Sequence, residues 1–183
     1  VTGGAQTGGL VGELSTDSYL PIANVTESFA TGDVDGTRKV GGLVGVNDYG
    51  IVSKSYARGD VTGEIRVAGL VGVNNSVTDG GLVTESYATG RVTGDRFTAG
   101  LVYNGPGGLI ENSYWSDANR QEEVDQRWED RVLSPDQMRG EAAAESMADF
   151  DFQSTWTTVD GDYPQLQWYI EAQADGDGTA DGN

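Results

Sequence analysis

The chain has 183 residues, with 29 Asp plus Glu against 11 Lys plus Arg, a formal charge of −18, and neither His nor Cys. That inventory excludes disulfides, thiol nucleophiles, His-dependent triads and the usual transition-metal sites, and its sign makes nucleic acid an unsuitable partner. No run of about 18 apolar residues is present, so no segment reads as a membrane span; self-repulsion of this size points to a salt-rich setting, where the Debye length shrinks to about 3 Å at about 1 M.

Four copies of one unit fill the first two thirds of the chain. A Gly-Leu-Val core stands at Gly9-Leu10-Val11, Gly42-Leu43-Val44, Gly69-Leu70-Val71 and Gly100-Leu101-Val102, and a Ser-aromatic pair at Ser28-Phe29, Ser55-Tyr56, Ser86-Tyr87 and Ser113-Tyr114. Val1-Thr2-Gly3 precedes Gly9 as Val61-Thr62-Gly63 precedes Gly69, so the chain begins inside a repeat. The expectation is the end of a longer array, with any secretion signal outside this segment.

The spacings separate a rigid arm from an elastic one. From Ser to the next core Gly the steps 28 to 42, 55 to 69 and 86 to 100 are each 14 positions, whereas from Gly to Ser they are 19, 13, 17 and 13. Fixed arms stack in register; elastic arms carry loops, here Glu13 to Asn24 and Asn74 to Gly80. Both sequons, Asn24-Val25-Thr26 and Asn74-Asn75-Ser76, fall in these loops, which marks Asn24 and Asn74 as candidate glycan acceptors.

Within a unit, short β-prone pieces alternate with Gly: the Gly-Leu-Val piece, Ile51 to Ala57, and Asp60-Val61-Thr62. They are too short for helices. The predicted fold is all-β, a parallel β-solenoid (a right-handed β-helix) of about four coils over residues 1–117. Leu10, Leu43, Leu70 and Leu101 would form one internal ladder at about 4.8 Å spacing. In Ile51 to Ala57 the small set Ile51, Ser53, Ser55 and Ala57 is expected inside, with hydroxyls bonding along the column. Glu27, Lys54, Glu85 and Asn112 form an adjacent column of alternating charge that helps set register.

GGLVGVNDYGIVSKSYARGDVTG, residues 41–63, resembles the GLUG-type repeat, named for its Gly-Leu-apolar-Gly core. Such repeats occur in secreted and surface proteins of bacteria and archaea, including stalks of some immunoglobulin-cleaving metallopeptidases. The resemblance covers about residues 1–117 and implies a surface repeat module without catalytic residues. The fourth copy departs from it, with Tyr103 where Gly12, Gly45 and Gly72 stand.

Beyond Trp115 the period stops. Residues 118–170 are predicted to cap the last coil, with one helix near 134–147 opened by Ser134 at the N-cap, Pro135 and Gln137. All four Trp lie between 115 and 168, joined by Phe150, Phe152, Tyr163, Leu166 and Tyr169. FDFQSTWTTVDGDYPQLQW looks like the tail that often closes GLUG arrays. Residues 171–183 read as an acidic disordered tail.

Several patterns suggest chemistry, each beside a plainer structural reason. Arg58-Gly59-Asp60 spells an integrin-binding tripeptide, but Thr31-Gly32-Asp33 and Thr89-Gly90-Arg91 mark the same recurring turn. Asp33 and Asp60 would lie one strand apart, as the paired acids of a polysaccharide lyase or hydrolase do, although their column then continues with Arg91. Asp160-Gly161-Asp162 and Asp175-Gly176-Asp177-Gly178 are fragments of calcium loops without the full ligand set, so no cofactor or dedicated metal is expected beyond weak surface cation binding. Phe29, Tyr56, Tyr87 and Tyr114 would form a stacked strip that binds sugar rings or a partner if it faces out, and core if it faces in.

The functional expectation is a non-enzymatic, extracellular or cell-surface module acting as stalk, spacer or adhesive surface in high salt. Its partner would be a polysaccharide, a protein or copies of itself. The alternatives are a carbohydrate-active β-helix and a subunit of a self-assembling filament.

Overall fold

The computed structural model describes residues 1–15, 23–75, 81–105, 108–119 and 131–176. They divide into two compact units, Val1–Pro135 and Asp136–Asn183.

The first unit winds through the same strands again and again. Its first rung is β1 (Ala5–Gly8), β2 (Val11–Ser15), β3 (Asn24–Thr26) and β4 (Phe29–Ala30). The second is β5 (Val34–Asp35), β6 (Arg38–Gly41), β7 (Val44–Asp48), β8 (Ile51–Ser53) and β9 (Tyr56–Ala57). The third is β10 (Val61–Ala68), β11 (Val71–Asn75), β12 (Leu82–Thr84) and β13 (Tyr87–Ala88), and the fourth β14 (Val92–Ala99), β15 (Val102–Asn104), β16 (Leu109–Glu111) and β17 (Tyr114–Ser116). Like pairs only with like: β2, β7, β11 and β15 form one parallel sheet, β3, β8, β12 and β16 another, and the other two sheets repeat the pattern. This is a parallel β-solenoid.

Register follows the repeat. Val11, Val44, Val71 and Val102 align, and the backbone N–H groups of Leu10, Leu43 and Leu70 donate to the carbonyls of Leu43, Leu70 and Leu101 at 3.0, 2.9 and 2.8 Å. Leu43 and Leu70 are fully buried and Leu101 nearly so, in a core shared with Val25, Val52, Val83 and Ile110. Leu10 departs from the expected ladder: it is 52% exposed, because the first rung has a neighbour on one side only. The core glycines hold the rungs together. A Cβ on Gly42 or Gly69 would run into the carbonyl oxygen of Gly69 or Gly100, so only Gly lets neighbouring rungs approach this closely.

The expected inner face of Ile51 to Ala57 is half corrected. Val52 is fully buried, while Ile51 and Ser53 are half-buried; only after Lys54 do Ser55 and Ala57 point in. Lys54 has φ 49°, and Glu27, Glu85 and Asn112 have 46, 45 and 42°. The column of Glu27, Lys54, Glu85 and Asn112 thus lies at a left-handed corner, and one αL residue shifts the strand alternation by one step.

The fourth rung is one residue short. Val71 pairs with Val102 but Asn74 with Asn104, so Tyr103 spans what Gly72 and Val73 span one rung earlier. Trp115 stands where Ala30, Ala57 and Ala88 stand and fills the space beside Gly100. β18 (Val132–Leu133) pairs with β17 through Trp115↔Val132 and Ser116↔Leu133, so the solenoid unit extends past residue 117.

The second unit contains α1 (Gly140–Ser146), an antiparallel pair β19 (Trp156–Val159) and β20 (Asp162–Leu166), and α2 (Gln167–Gly176). The expected single helix is therefore two. Residues 135–138 form turns, and α1 begins only after Arg139, whose side chain makes no cap bond, with Gly140 at φ 55° as its first residue. α2 takes up 171–176 of the segment expected to be disordered, and 177–183 lie outside the described residues. Met138, Ala143, Met147, Phe150, Trp156 and Leu166 are buried, with Phe150 and Trp156 stacked at 4.8 Å.

Candidate functional site

The residues that repeat with the coil are spent on the coil. In the Ser column, the N–H groups of Ser28, Ser55 and Ser86 donate to the Oγ of Ser55, Ser86 and Ser113, each at 3.1 Å. Each hydroxyl in turn donates to the carbonyl two residues back, at 2.7 Å for Ser55, Ser86 and Ser113. The column of hydroxyls proposed from sequence is present, and it fastens the left-handed corner to the next rung.

An Asn column does the same for the elastic arm. Asn47 Nδ2 donates to Asn74 Oδ1 at 2.9 Å, and Asn74 Nδ2 to Asn104 Oδ1 at 3.2 Å. The same Nδ2 atoms reach the carbonyls of Gly50, Gly81 and Gly108, at 3.1, 2.9 and 2.7 Å. These bonds tie off loops of different length at a common base, which is why the spacing varies without disturbing the rungs. The loop residues 16–22 and 76–80 lie outside the described residues. Leu14 holds the Asn position in the first rung, and Asn47 Oδ1 is left buried without a partner.

This corrects one sequon. Asn74 is completely buried and its Nδ2, the atom a glycan would take, is committed to the ladder. Asn24 is exposed at the start of β3.

The aromatic strip takes the closed one of its two readings. Phe29 and Tyr56 stack at 5.0 Å and 6°, Tyr56 and Tyr87 at 5.1 Å and 5°. Yet Tyr56, Tyr87 and Tyr114 are 1, 0 and 8% exposed, so they offer no open platform for a sugar. Arg58 closes on the same column, its Nε donating to Tyr87 Oη at 3.2 Å and its Cζ 5.1 Å from the Tyr56 ring centroid.

Arg58-Gly59-Asp60 is thereby explained as a corner. Gly59 is buried against Gly32, Asp60 N donates to Asp33 Oδ1 at 2.9 Å, and Arg91 N to Asp60 Oδ1 at 2.9 Å. Asp33 and Asp60 each accept a backbone N–H from the following rung, the ordinary work of a turn carboxylate. Asp160-Gly161 is the tight turn joining β19 to β20, with Gly161 at φ 68°, and Asp162 Oδ1 accepts from its neighbour Tyr163 N at 2.7 Å. Among the described residues no group of three or more His, Cys, Asp or Glu is placed to hold a metal ion.

The stacked, glycine-cored coil and its matching sequence bring the chain to a known repeat. Residues 36–62 carry a GLUG motif. The match falls on the second rung and its turn into the third, where Gly42 lies close against the Gly69 carbonyl of the next rung. Neither the curated proteins nor the solved structures yield a match to the chain.

One group of residues escaped the sequence reading. Arg38, Lys39, Arg66 and Arg96 gather at the bend of the first sheet, beside Phe97 and Tyr103. The signal was the place of these cations two or three positions after Gly36, Gly63 and Gly94.

Proposed function

We propose that the GLUG solenoid is a non-enzymatic module of an extracellular or cell-surface protein, serving as stalk, spacer or attachment surface. What supports this most is the fate of the repeated polar residues: the Ser, Asn and Asp columns are consumed by hydrogen bonds between rungs. A stack built this way gives length and a continuous face, which suits extension and attachment. GLUG repeats belong typically to secreted or surface proteins, in keeping with this placement. Among the described residues no helix is long and apolar enough to cross a membrane. Asn24 is the sequon a glycan would use.

The test is retention of beads bearing this chain on polysaccharide and glycoprotein coats in molar KCl, run beside a polysaccharide turnover assay. Retention without turnover is the expected result; turnover that disappears in Asp60→Ala would overturn the reading in favour of a carbohydrate-active coil. Light scattering tests the filament alternative, which a monomer excludes.

Adaptation to high salt belongs to the same proposal and rests on the −18 charge. Circular dichroism from dilute to molar KCl should show the β signal gained with salt. An unchanged folded spectrum in dilute buffer would remove this part.

A further inference from the structure

The bend of the first sheet carries two outward columns. Ala5, Arg38, Ile65 and Arg96 align across the rungs, and the residues that follow them, Gln6, Lys39, Arg66 and Phe97, all have left-handed φ of 58, 52, 59 and 61°. Four cations thereby meet on the adjacent strands β6, β10 and β14, in a chain whose formal charge is −18. Surplus carboxylates make pairing easy for any cation here, yet among the described residues none of the four side chains makes a hydrogen bond or ion pair. Arg66 Nε is buried without an acceptor, and its terminal nitrogens are not enclosed in that way.

Aromatic rings sit among these cations. Arg66 Cζ lies 5.7 Å from the Tyr103 ring centroid, Tyr103 is 5.8 Å from Phe97 at 51°, and Arg96 Cζ is 5.3 Å from Phe97. Phe97 is 48% exposed in a backbone conformation that bulky side chains avoid. The left-handed φ belongs to the corner, since every residue of the column shares it; what the bend adds is an exposed ring beside cations whose side chains pair with no described carboxylate, a surface suited to a ligand.

We propose that this bend binds an acidic polysaccharide, with sugar carboxylates taken by Arg38, Lys39, Arg66 and Arg96 and a sugar face lying on Phe97. The proposal names the partner class of the attachment reading above and rests on it. Lys39 and Arg66 follow one another in one column, about 4.8 Å apart along the axis of the coil, and Arg38 and Arg96 stand two rungs apart in the other with Ile65 between them. A linear polymer that alternates carboxylates with flat C–H faces answers both the charges and the ring, whereas an acidic peptide answers the charges alone. Guanidinium groups suit carboxylates through paired hydrogen bonds, and enclosure of Arg66 Nε leaves less water to displace when a carboxylate arrives.

The experiment is calorimetric titration of the whole chain with hexagalacturonate, cellohexaose and hexaglutamate, at the lowest KCl that keeps the fold by circular dichroism. Phe97→Asn retains a residue that tolerates positive φ, Arg96→Gln removes an exposed charge, and Arg91→Gln is the remote control. Hexagalacturonate should bind and cellohexaose should not, with binding weakened by roughly tenfold or more in Phe97→Asn and in Arg96→Gln, and unchanged in Arg91→Gln. Equal or tighter binding of hexaglutamate would overturn the proposal in favour of an acidic protein partner. Binding unchanged in both folded variants, or absent from the unmodified chain, would overturn it as well. A chain that ignores hexagalacturonate yet is retained on coated surfaces loses this site and keeps its attachment role; failure in both assays removes both.

Discussion

In the solenoid the column residues meet their own equivalents one rung away, while in residues 136–176 the packing is between unlike elements. Leu43 lies under Leu70, and Ser55 bonds Ser86, because equal spacing brings equal positions together. Trp156, by contrast, stacks on Phe150 and pairs with Leu166, partners that no period relates to it. A repeat stores its stability in rung-to-rung terms of similar size; an irregular unit concentrates it in a few large side chains.

That contrast can be broken by mutation. Trp156→Ala should cost about 3–5 kcal/mol in the C-terminal unit, read as lost amide protection in α1, β19 and β20. Unchanged protection there would show that the stability of this unit is spread out as it is in the coil. In the solenoid, Gly69→Ala drives a Cβ into the Gly100 carbonyl and to 2.9 Å from Ala88, whereas Gly4→Ala meets nothing within 4 Å. Denaturation midpoints should register about 1–3 kcal/mol for the first change and about 0.5 or less for the second. Equal effects would mean that rung contact does not set the demand for glycine.

The smallest effect sharpens the comparison within the coil. Leu14→Asn would carry the Asn column into the first rung and offer its Nδ2 to the stranded Asn47 Oδ1. We expect a gain of about 1 kcal/mol in chemical denaturation, partly offset by lost apolar burial of Leu14. A clear loss would show that the ladder ends at Asn47 for a packing reason.

Much of this was legible along the chain, and the places where it was not share a cause. The Ser column and the register of the Gly-Leu-Val core followed from an invariant arm of 14 positions. The inner face of Ile51 to Ala57 did not, because Lys54 adopts a left-handed φ that lysine does not advertise; only Asn112 in that column hinted at it. The buried state of Tyr56 and Tyr87 and of the Asn74 sequon was likewise hidden, since periodicity tells which residues share a column but not which side of the sheet is covered. For the cationic bend the residues were visible and their meeting was not: Arg38, Arg66 and Arg96 are 28 and 30 positions apart in sequence, from 38 to 66 and from 66 to 96.

Sequence alone determined the parallel stacking, because a repeat with one rigid arm brings like residues into contact only if successive copies wind the same way. Tertiary structure alone decided the phase of each side chain: a single αL residue rotates everything after it to the opposite face, and burial depends on what lies across the gap. That phase is why the stacked tyrosines are closed off while Arg38, Arg96 and Phe97 at the bend are exposed, the surface on which the proposed binding rests.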